Sequence, residues 1–461
     1  MPNLSRRHFA AAGSALLASG LVTTPRLFAA DTGASMSDAD YVRAALEAIH
    51  PGLYRYQSPS QFAARHAAFA KAYNAGDFDA KVLALQELLC AVKCGHTFIN
   101  PANQTKEVRA KLYDERRLLP FNFRWVNGQM IVVSDPHGTG LPAGTRIMKI
   151  NGIGSADILK RLLPLARADG SNLPKRLALM SVTGDERFGT FDLYYDLVFN
   201  PGPRVAVEAI APGNEMRIGL FNTISYEQRI AAADTAVKAD PTAPIWFSSR
   251  GNADKTKIIT MPTWAIYKTQ WNWFGWLQGQ LSEMLSDGTT GLVFDLRGNE
   301  GGQSIGEGML PYFINEEISF PRPQELVRFR EAPSELRSIF NTWDNSFYSM
   351  GKEAKQVESG FFELKPARDQ ILKPMEQTFQ GKVAVLINAD NSSATFTFAQ
   401  QLRASGVATL IGEPTGGNQR GINGGAYFFT RLPESQLEFD IPLIGYFPEG
   451  EKPDAGLEPD V

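Results

Sequence analysis

Between Lys382 and Leu402 the chain reads KVAVLINADNSSATFTFAQQL, and its hydrophobic pattern changes twice. Val383 to Ile387 is a short apolar run rich in β-branched residues, the pattern of a buried strand. Asn388 to Ser393 is polar and turn-forming. From Thr395 the apolar positions return at helical spacing, with Phe396, Ala399 and Leu402 on one face. Strand, turn and helix place Ser393 and Ala394 at a helix N-terminus, where backbone N–H groups lack intrahelical acceptors and can hold developing negative charge. Serine is also an ordinary N-cap residue, and this stretch alone does not choose between the two roles.

Upstream, the pattern divides the chain into three further parts. Asp31 to Glu115 is helical by period: Tyr41, Ala44, Leu46 and Ile49 form a stripe ended by Pro51-Gly52, and a second helix runs from Phe62 to Tyr73. A third, Phe78 to Val92, stops at Cys94-Gly95-His96-Thr97 and presents a histidine in a turn. Leu119 to about Leu220 reads instead as strands. Asn127-Gly128 supplies a hairpin turn, Asn151-Gly152 another, an amphipathic helix follows, and two strands close around Pro212-Gly213. This order resembles a PDZ domain, a fold that binds extended peptides at a sheet edge; Arg167 to Phe199 is longer than the usual connection.

Phe221 to Lys257 reads as a mixed linker, and from Ile258 the pattern is α/β. Strands are predicted at Ile258–Met261 and Gly291–Leu296, with Leu277, Leu281 and Leu285 at helical spacing between them. Trp264 to Trp276 holds four of the seven tryptophans. Phe320 to Gln380 is polar and weakly periodic, and is predicted to be an insertion covering a cleft. Ala426 to Val461 is β-like, then rich in Gly and Pro.

Composition narrows the classes. With 461 residues the chain has room for two or three domains, and 43% hydrophobic with 21% charged residues is ordinary for a globular protein. A net charge of −3, with no basic patch interleaved with aromatics, gives no electrostatic case for nucleic acid or an anionic membrane. Ser5-Arg6-Arg7-His8-Phe9, the weakly apolar run Ala10–Val22 and Leu27-Phe28-Ala29-Ala30 resemble a twin-arginine export signal. The expected mature chain is therefore periplasmic or secreted, without stable membrane insertion. Cys90 and Cys94 are four apart, and a disulfide between adjacent helical turns is strained. Only His96 lies near them in sequence, so no metal site is expected; two buried thiols or a bond at a frayed helix end stay open.

The most specific motif is Asp295-Leu296-Arg297-Gly298-Asn299-Glu300-Gly301-Gly302, straight after a predicted strand. Adjacent glycines let the backbone take positive φ and approach a ligand closely. Together with Val385–Ala394, the turn Gly412-Glu413-Pro414-Thr415 and the terminal Gly456–Val461, it resembles the C-terminal processing and tricorn-like serine peptidase family, to which tail-specific proteases belong. The resemblance implies a multidomain α/β protein. Its expected parts are a signal at 1–30, a helical domain at 31–116, a PDZ-like domain at 117–220 and a crotonase-like catalytic domain at 221–461, with the insertion at 320–380. It implies a serine-type peptidase without cofactor, acting on a peptide or protein. Ser393 would be the nucleophile, since the family's nucleophile directly precedes the alanine; Ala394 N–H with that of Gly301 or Gly302 would form the oxyanion hole.

The processing branch carries a lysine base where this chain has Asn418, and no lysine occurs between Lys382 and Lys452. The tricorn-like branch takes a histidine from a segment similar to Gly95-His96-Thr97, which makes His96 the implied base; a neutral imidazole suits that role near pH 7. His50, His66 and His137 are competitors. For the orienting acid the branch implies Glu451 ahead of Asp454. Where that branch has a serine before the histidine, this chain has Gly95. Asp295 and Arg297 are expected to pin their loop by a charge-assisted hydrogen bond. The rival expectations are a non-catalytic binding protein on the same scaffold, and a hydrolase of non-peptide esters or amides.

Overall fold

Each of the first three helices starts at a residue with a clear local signal. α1 (Asp38–Ile49) begins at Ser37 in a capping box with Asp40, α2 (Pro59–Ala75) at Ser58 in one with Gln61, and α3 (Phe78–Ala91) at Asp77. The computed structural model describes residues 36–184, 188–232, 241–251, 255–358 and 360–461. The expected export signal at 1–30 lies outside them. The first helix has the expected period but a shifted stripe: Val42, Ala45, Leu46 and Ile49 are buried, while Tyr41 and Ala44 sit at its margin. Among the described residues no helix is long and apolar enough to cross a membrane.

After α4 (Lys106–Tyr113) the chain builds an antiparallel sheet. It comprises β1 (Asn122–Val126), β2 (Gln129–Ser134), β3 (Arg146–Ile150), β4 (Ile153–Gly154), β5 (Arg204–Ile210) and β6 (Met216–Asn222), in the order β1-β2-β3-β5-β6 with β4 on β3. Asn127 and Asn151 take left-handed φ values of 49°, as the predicted turns require. Between β4 and β5 run α5 (Ser155–Leu162), α6 (Leu173–Leu179) and α7 (Thr190–Phe199). The long connection is thus partly helical, and residues 167–175 reach loops of the second half of the chain.

The second half opens with α8 (Tyr226–Ala232), β7 (Phe247–Arg250), β8 (Thr256–Thr260), α9 (Trp273–Met284), β9 (Gly291–Asp295) and α10 (Ile305–Met309). Residues 318–372 then carry β10 (Ile318–Arg322), β11 (Gln324–Val327), β12 (Phe340–Asn341), β13 (Lys355–Glu358), β14 (Phe361–Lys365) and β15 (Arg368–Leu372). Finally come β16 (Lys382–Ile387), α11 (Ser393–Ser405), β17 (Thr409–Gly412), β18 (Asn423–Arg431) and β19 (Glu438–Phe447).

A five-stranded sheet of order β17-β16-β9-β8-β7 is parallel except at β7. Leu386 on β16 pairs with Asp295 on β9, so the glycine-rich loop and the serine turn leave the same sheet edge side by side. The carboxyl ends of parallel strands are the usual place for a ligand site in such sheets. A third sheet, β12-β18-β19-β11-β14-β13, corrects the expectation for residues 320–380: β11 and β14 continue the C-terminal strands rather than forming a separate cover. Their strands are two to five residues long, too short to register as a period. Part of the segment, including Trp343, Asp344 and Phe347, still borders the main cavity. One buried apolar cluster joins α1–α3, the first sheet and β18–β19, and a second fills the parallel sheet.

Candidate active site

The serine turn is fastened to the glycine-rich loop by its own side chains. Asn391 Nδ2 donates to the Leu296 and Asn299 carbonyls at 2.6 and 3.0 Å, Ser392 Oγ to Glu300 O at 3.1 Å, and Thr395 Oγ1 to Asn299 O at 2.8 Å. Ser392, not Ser393, is the N-cap residue, and it makes no side-chain cap bond. Ser393 follows with φ 52°, a left-handed conformation uncommon for a residue bearing Cβ. Strain of this kind persists only where surrounding contacts hold it, here the bonds of Asn391, Ser392 and Thr395. Ser393 borders a cavity of about 2780 Å³.

Gly301 and Gly302 complete this wall. Gly301 has φ 102°, and a Cβ there would lie 2.9 Å from Ala394 N and 3.0 Å from Ser393 Cβ. Gly302 has φ 133°, and its Cβ would lie 2.2 Å from the Trp264 carbonyl. Only glycine fits either position. The Gly301 N–H is taken by Asn299 Oδ1 at 2.9 Å. The N–H groups of Gly302 and Ala394 carry no hydrogen bond among the described residues, so both are donors free beside Ser393. The Arg297–Asp295 ion pair, 2.7 Å, closes the loop's base as expected.

His96 borders the same cavity from the turn after α3. Its Nδ1 is buried without a hydrogen-bond partner, and the Tyr427 ring lies 5.9 Å from the imidazole, centroid to centroid. No hydrogen bond joins His96 to Ser393 in this structure. Burial lowers the imidazole pKa below its usual value, against the opposing pull of Asp169. The competing histidines are committed elsewhere. Buried His50 bonds Thr97 Oγ1 at 2.9 Å and accepts from Gly52 N–H, and burial holds its pKa down to about 3. His66 contacts the Ala39 carbonyl at 2.9 Å, and His137 does not border the cavity.

The carboxylate at His96 is one the sequence did not advertise. Cys94 Sγ, a His96 ring nitrogen and an Asp169 oxygen all lie within 4.8 Å of one another. Asp169 is 2% exposed, and its Oδ1 accepts from Gly95 N–H at 2.9 Å. A Cβ on Gly95 would meet Asp169 Oδ2 at 2.8 Å, so the carboxylate fills the space a serine side chain would need. Glu451, by contrast, is exposed on the tail and borders no part of the cavity. Asp454 accepts from Ser171 N–H at 2.9 Å and Asn418 Nδ2 at 2.8 Å, which ties it to residues 170–171.

Asp169 belongs to a strap, residues 167–175, that touches every loop of the site. Arg167 donates to Gly95 O at 2.8 Å and pairs with Glu300 at 3.2 Å. Asn172 Nδ2 donates to Thr415 O and Gly417 O, and Asn418 Nδ2 to Asp169 O at 3.1 Å. Lys175, 1% exposed, pairs with Glu300 and donates to Asp390 O at 3.3 Å. Burial works to raise the Glu300 pKa, but Lys175 and Arg167 outweigh it and hold the carboxyl well below the ordinary range. The position of the branch lysine is thus filled by a structural amide, Asn418. A buried lysine does reach the catalytic loop, but from the strap. The only sequence signal for the strap was the excess length of Arg167–Phe199. Cys90 and Cys94 are both free thiols; Cys90 Sγ donates to Leu165 O at 3.3 Å.

The terminal motif is also structural in part. Gly412 N–H donates to Val461 O and Leu457 N–H to Thr415 Oγ1, so the tail lies along β17 and fixes the Glu413-Pro414-Thr415 turn.

Residues 255–461 match the family model of peptidase family S41. No curated protein matches the sequence. Among solved structures, mature CPAF complexed with lactacystin shares 13% identity with this chain at a TM-score of 0.58, covering 92% of each chain. A CPAF mutant shares 12% identity at 0.59, covering 92% of this chain and 91% of its own. Likeness at that identity establishes a shared fold over nearly the whole length.

Proposed function

We propose that this chain, whose residues 255–461 match the model of peptidase family S41, is a serine-type peptidase of that family that cleaves peptide bonds with Ser393, His96 and Asp169 as its working residues. One observation carries the reading: Ser393, His96 and the free N–H groups of Gly302 and Ala394 border a single cavity although they come from three separate segments. Ser393 Oγ attacks the scissile carbonyl carbon while His96 takes the hydroxyl proton. The carbonyl oxygen becomes an oxyanion held by the N–H groups of Gly302 and Ala394. As the C–N bond breaks, His96 returns the proton to the leaving amine; water then repeats the sequence on the acyl-enzyme.

Asp169 is assigned the orienting role in place of Glu451. It is buried, it is held by Gly95 N–H, and it stands where the branch's serine would. The antiparallel sheet β1–β6 is read as a PDZ-like peptide-binding module, supported by its strand order and by the exposed edge strand β6, where Met216, Ile218 and Leu220 face solvent. The parallel sheet with α11 is read as the crotonase-like core. Export by the twin-arginine route is proposed from Arg6-Arg7 and the run after them, so the substrates would be exported proteins or peptides.

Fluorophosphonate labelling of the folded chain tests the assignment. Wild type is expected to label, Ser393→Ala not at all, and His96→Ala at least 100-fold more slowly. A His96→Ala variant labelling at the wild-type rate overturns the base assignment; a folded wild type that never labels overturns the mechanism.

A further inference from the structure

We propose that Cys94, His96 and Asp169 form a binding site for one divalent cation of the zinc class. The site needs nothing from the peptidase reading; only its consequence for activity does. The three side chains offer a sulfur, an imidazole nitrogen and a carboxylate oxygen within 4.8 Å of one another. Around tetrahedral Zn²⁺, with bonds of roughly 2.0–2.3 Å, such donors stand about 3.5 Å apart. Small rotations of three side chains close that difference. The donor set excludes the common hard cations: Ca²⁺ and Mg²⁺ take oxygen ligands, whereas thiolate with imidazole selects zinc-like ions.

Two further features point to a ligand rather than to packing. His96 Nδ1 is buried and has no hydrogen-bond partner, an arrangement that leaves a polar atom unsatisfied. The shell behind the donors is also in place. Asn423 Nδ2 donates to Cys94 Sγ at 3.4 Å, Gly95 N–H holds Asp169 Oδ1 at 2.9 Å, and Arg167 holds Gly95 O at 2.8 Å. Backbone and outer-shell contacts of this kind fix ligand orientation in metal sites. Cys94 and Asp169 are 1% and 2% exposed, and His96 alone of the three borders the cavity. An ion therefore enters past the imidazole, and the fourth position faces the cavity for a water. Burial keeps the free thiol protonated, with its pKa pushed up to about 11, so the S–metal bond forms as the thiol proton leaves to solvent. Sequence spacing hid the site because Asp169 lies 73 positions from His96 along the chain.

If His96 is the general base, the bound ion occupies the imidazole and silences the peptidase. Titrating the folded chain with Co²⁺ as a spectroscopic probe, and then with Zn²⁺ in competition, reads the site directly. One Co²⁺ per chain with a thiolate charge-transfer band in the near ultraviolet is expected, displaced by one Zn²⁺. Ser393→Ala is expected to bind identically, which separates this outcome from any failure of the peptidase assignment. Cys94→Ser is expected to lose the band and at least 100-fold in Zn²⁺ affinity. Should Cys94→Ser fail to fold, Asp169→Asn keeps the sulfur and is expected to retain the band with at least 10-fold weaker affinity. Absence of the band in wild type, or unchanged affinity in the variant that folds, overturns the site. Zn²⁺ bound at that stoichiometry with undiminished fluorophosphonate labelling overturns its inhibitory role.

Discussion

Two regions meet at Ser393, and they are built in opposite ways. The glycine-rich loop and the serine turn leave adjacent parallel strands, β9 and β16, and are fastened by contacts between neighbours in the same sheet. The strap at 167–175 comes from a connection in a different sheet and holds the site through contacts that span 72 to 249 positions of the chain. The first region carries Ser393, the proposed nucleophile, and the free N–H groups of Gly302 and Ala394. The second carries Asp169 beside His96, the proposed base, and Lys175 beneath the loop. A peptidase site can therefore keep its core motif intact while its orienting groups are delivered from elsewhere, and the two halves should respond differently to substitution.

Breaking the local half has the largest expected effect. Gly302→Ala forces a Cβ into the Trp264 carbonyl at a φ of 133°, so both the donor and the loop are displaced. Loss of one oxyanion donor alone costs about 10²–10³ in rate; here fluorophosphonate labelling is expected to fall at least that far, with the melting temperature reduced as well. Labelling within a few-fold of wild type would remove Gly302 from the site.

Next comes the strap's carboxylate. Asp169→Asn keeps the shape but removes the charge that favours imidazolium, so labelling is expected to slow about 10²–10⁴-fold. Because burial already lowers the His96 pKa and Asp169 opposes that fall, the acidic limb of the wild-type pH profile lies below 6.5 and moves to lower pH in the variant. An unmoved limb would make Asp169 merely structural. Glu451→Gln is expected to change neither rate nor profile.

Below the loop, Glu300→Ala leaves buried Lys175 with only the Asp390 carbonyl at 3.3 Å and carboxylate at 3.9 Å. An uncompensated buried charge costs roughly 3–5 kcal/mol, less here because the Glu300 side chain is 45% exposed, and denaturant unfolding should register about 2 kcal/mol. Lys175→Met, which removes the buried charge instead, is expected to cost less. The reverse ranking would mean that the pair's attraction, not its burial, sets the balance.

The smallest effect concerns another long-range joint, where Asp440 on β19 accepts from Asn100 and Asn103 at 2.7 and 2.9 Å. Burial raises its pKa from 3.8 to about 7 despite those bonds. The folded state therefore binds this proton more tightly than the unfolded one. Its stabilising contribution is full below pH 4 and is lost as pH climbs through 7. The melting temperature should fall across that window, and Asp440→Asn should flatten the slope; an equal slope in both would assign it to other groups.

Much of this was legible along the chain. The strand–turn–helix at 382–402, the glycine loop and the hairpin asparagines are local signals, and each appears where its pattern put it. Residues 318–372 were misread because two- to five-residue strands carry too little period to be recognised. Ser393, His96, Ala394, Gly302 and Gly301, the candidates of the sequence reading, all border one cavity, and the Gly301 N–H is taken by Asn299. Glu451 was implied by the family resemblance alone, and the tail runs along β17 with that side chain in solvent.

What the sequence determined by itself is the set of groups with a local signature: a serine in a polar turn between strand and helix, paired glycines straight after a strand, and a histidine in a turn. Which carboxylate faces that histidine, which lysine lies under the loop, and that Cys94 and Asp169 share one pocket were decided only by the tertiary fold. The tertiary fold brings those residues together across 73 to 125 positions. A short polar stretch such as Arg-Ala-Asp-Gly-Ser-Asn carries no local trace of what it will touch, because its energy comes from partners supplied by other segments.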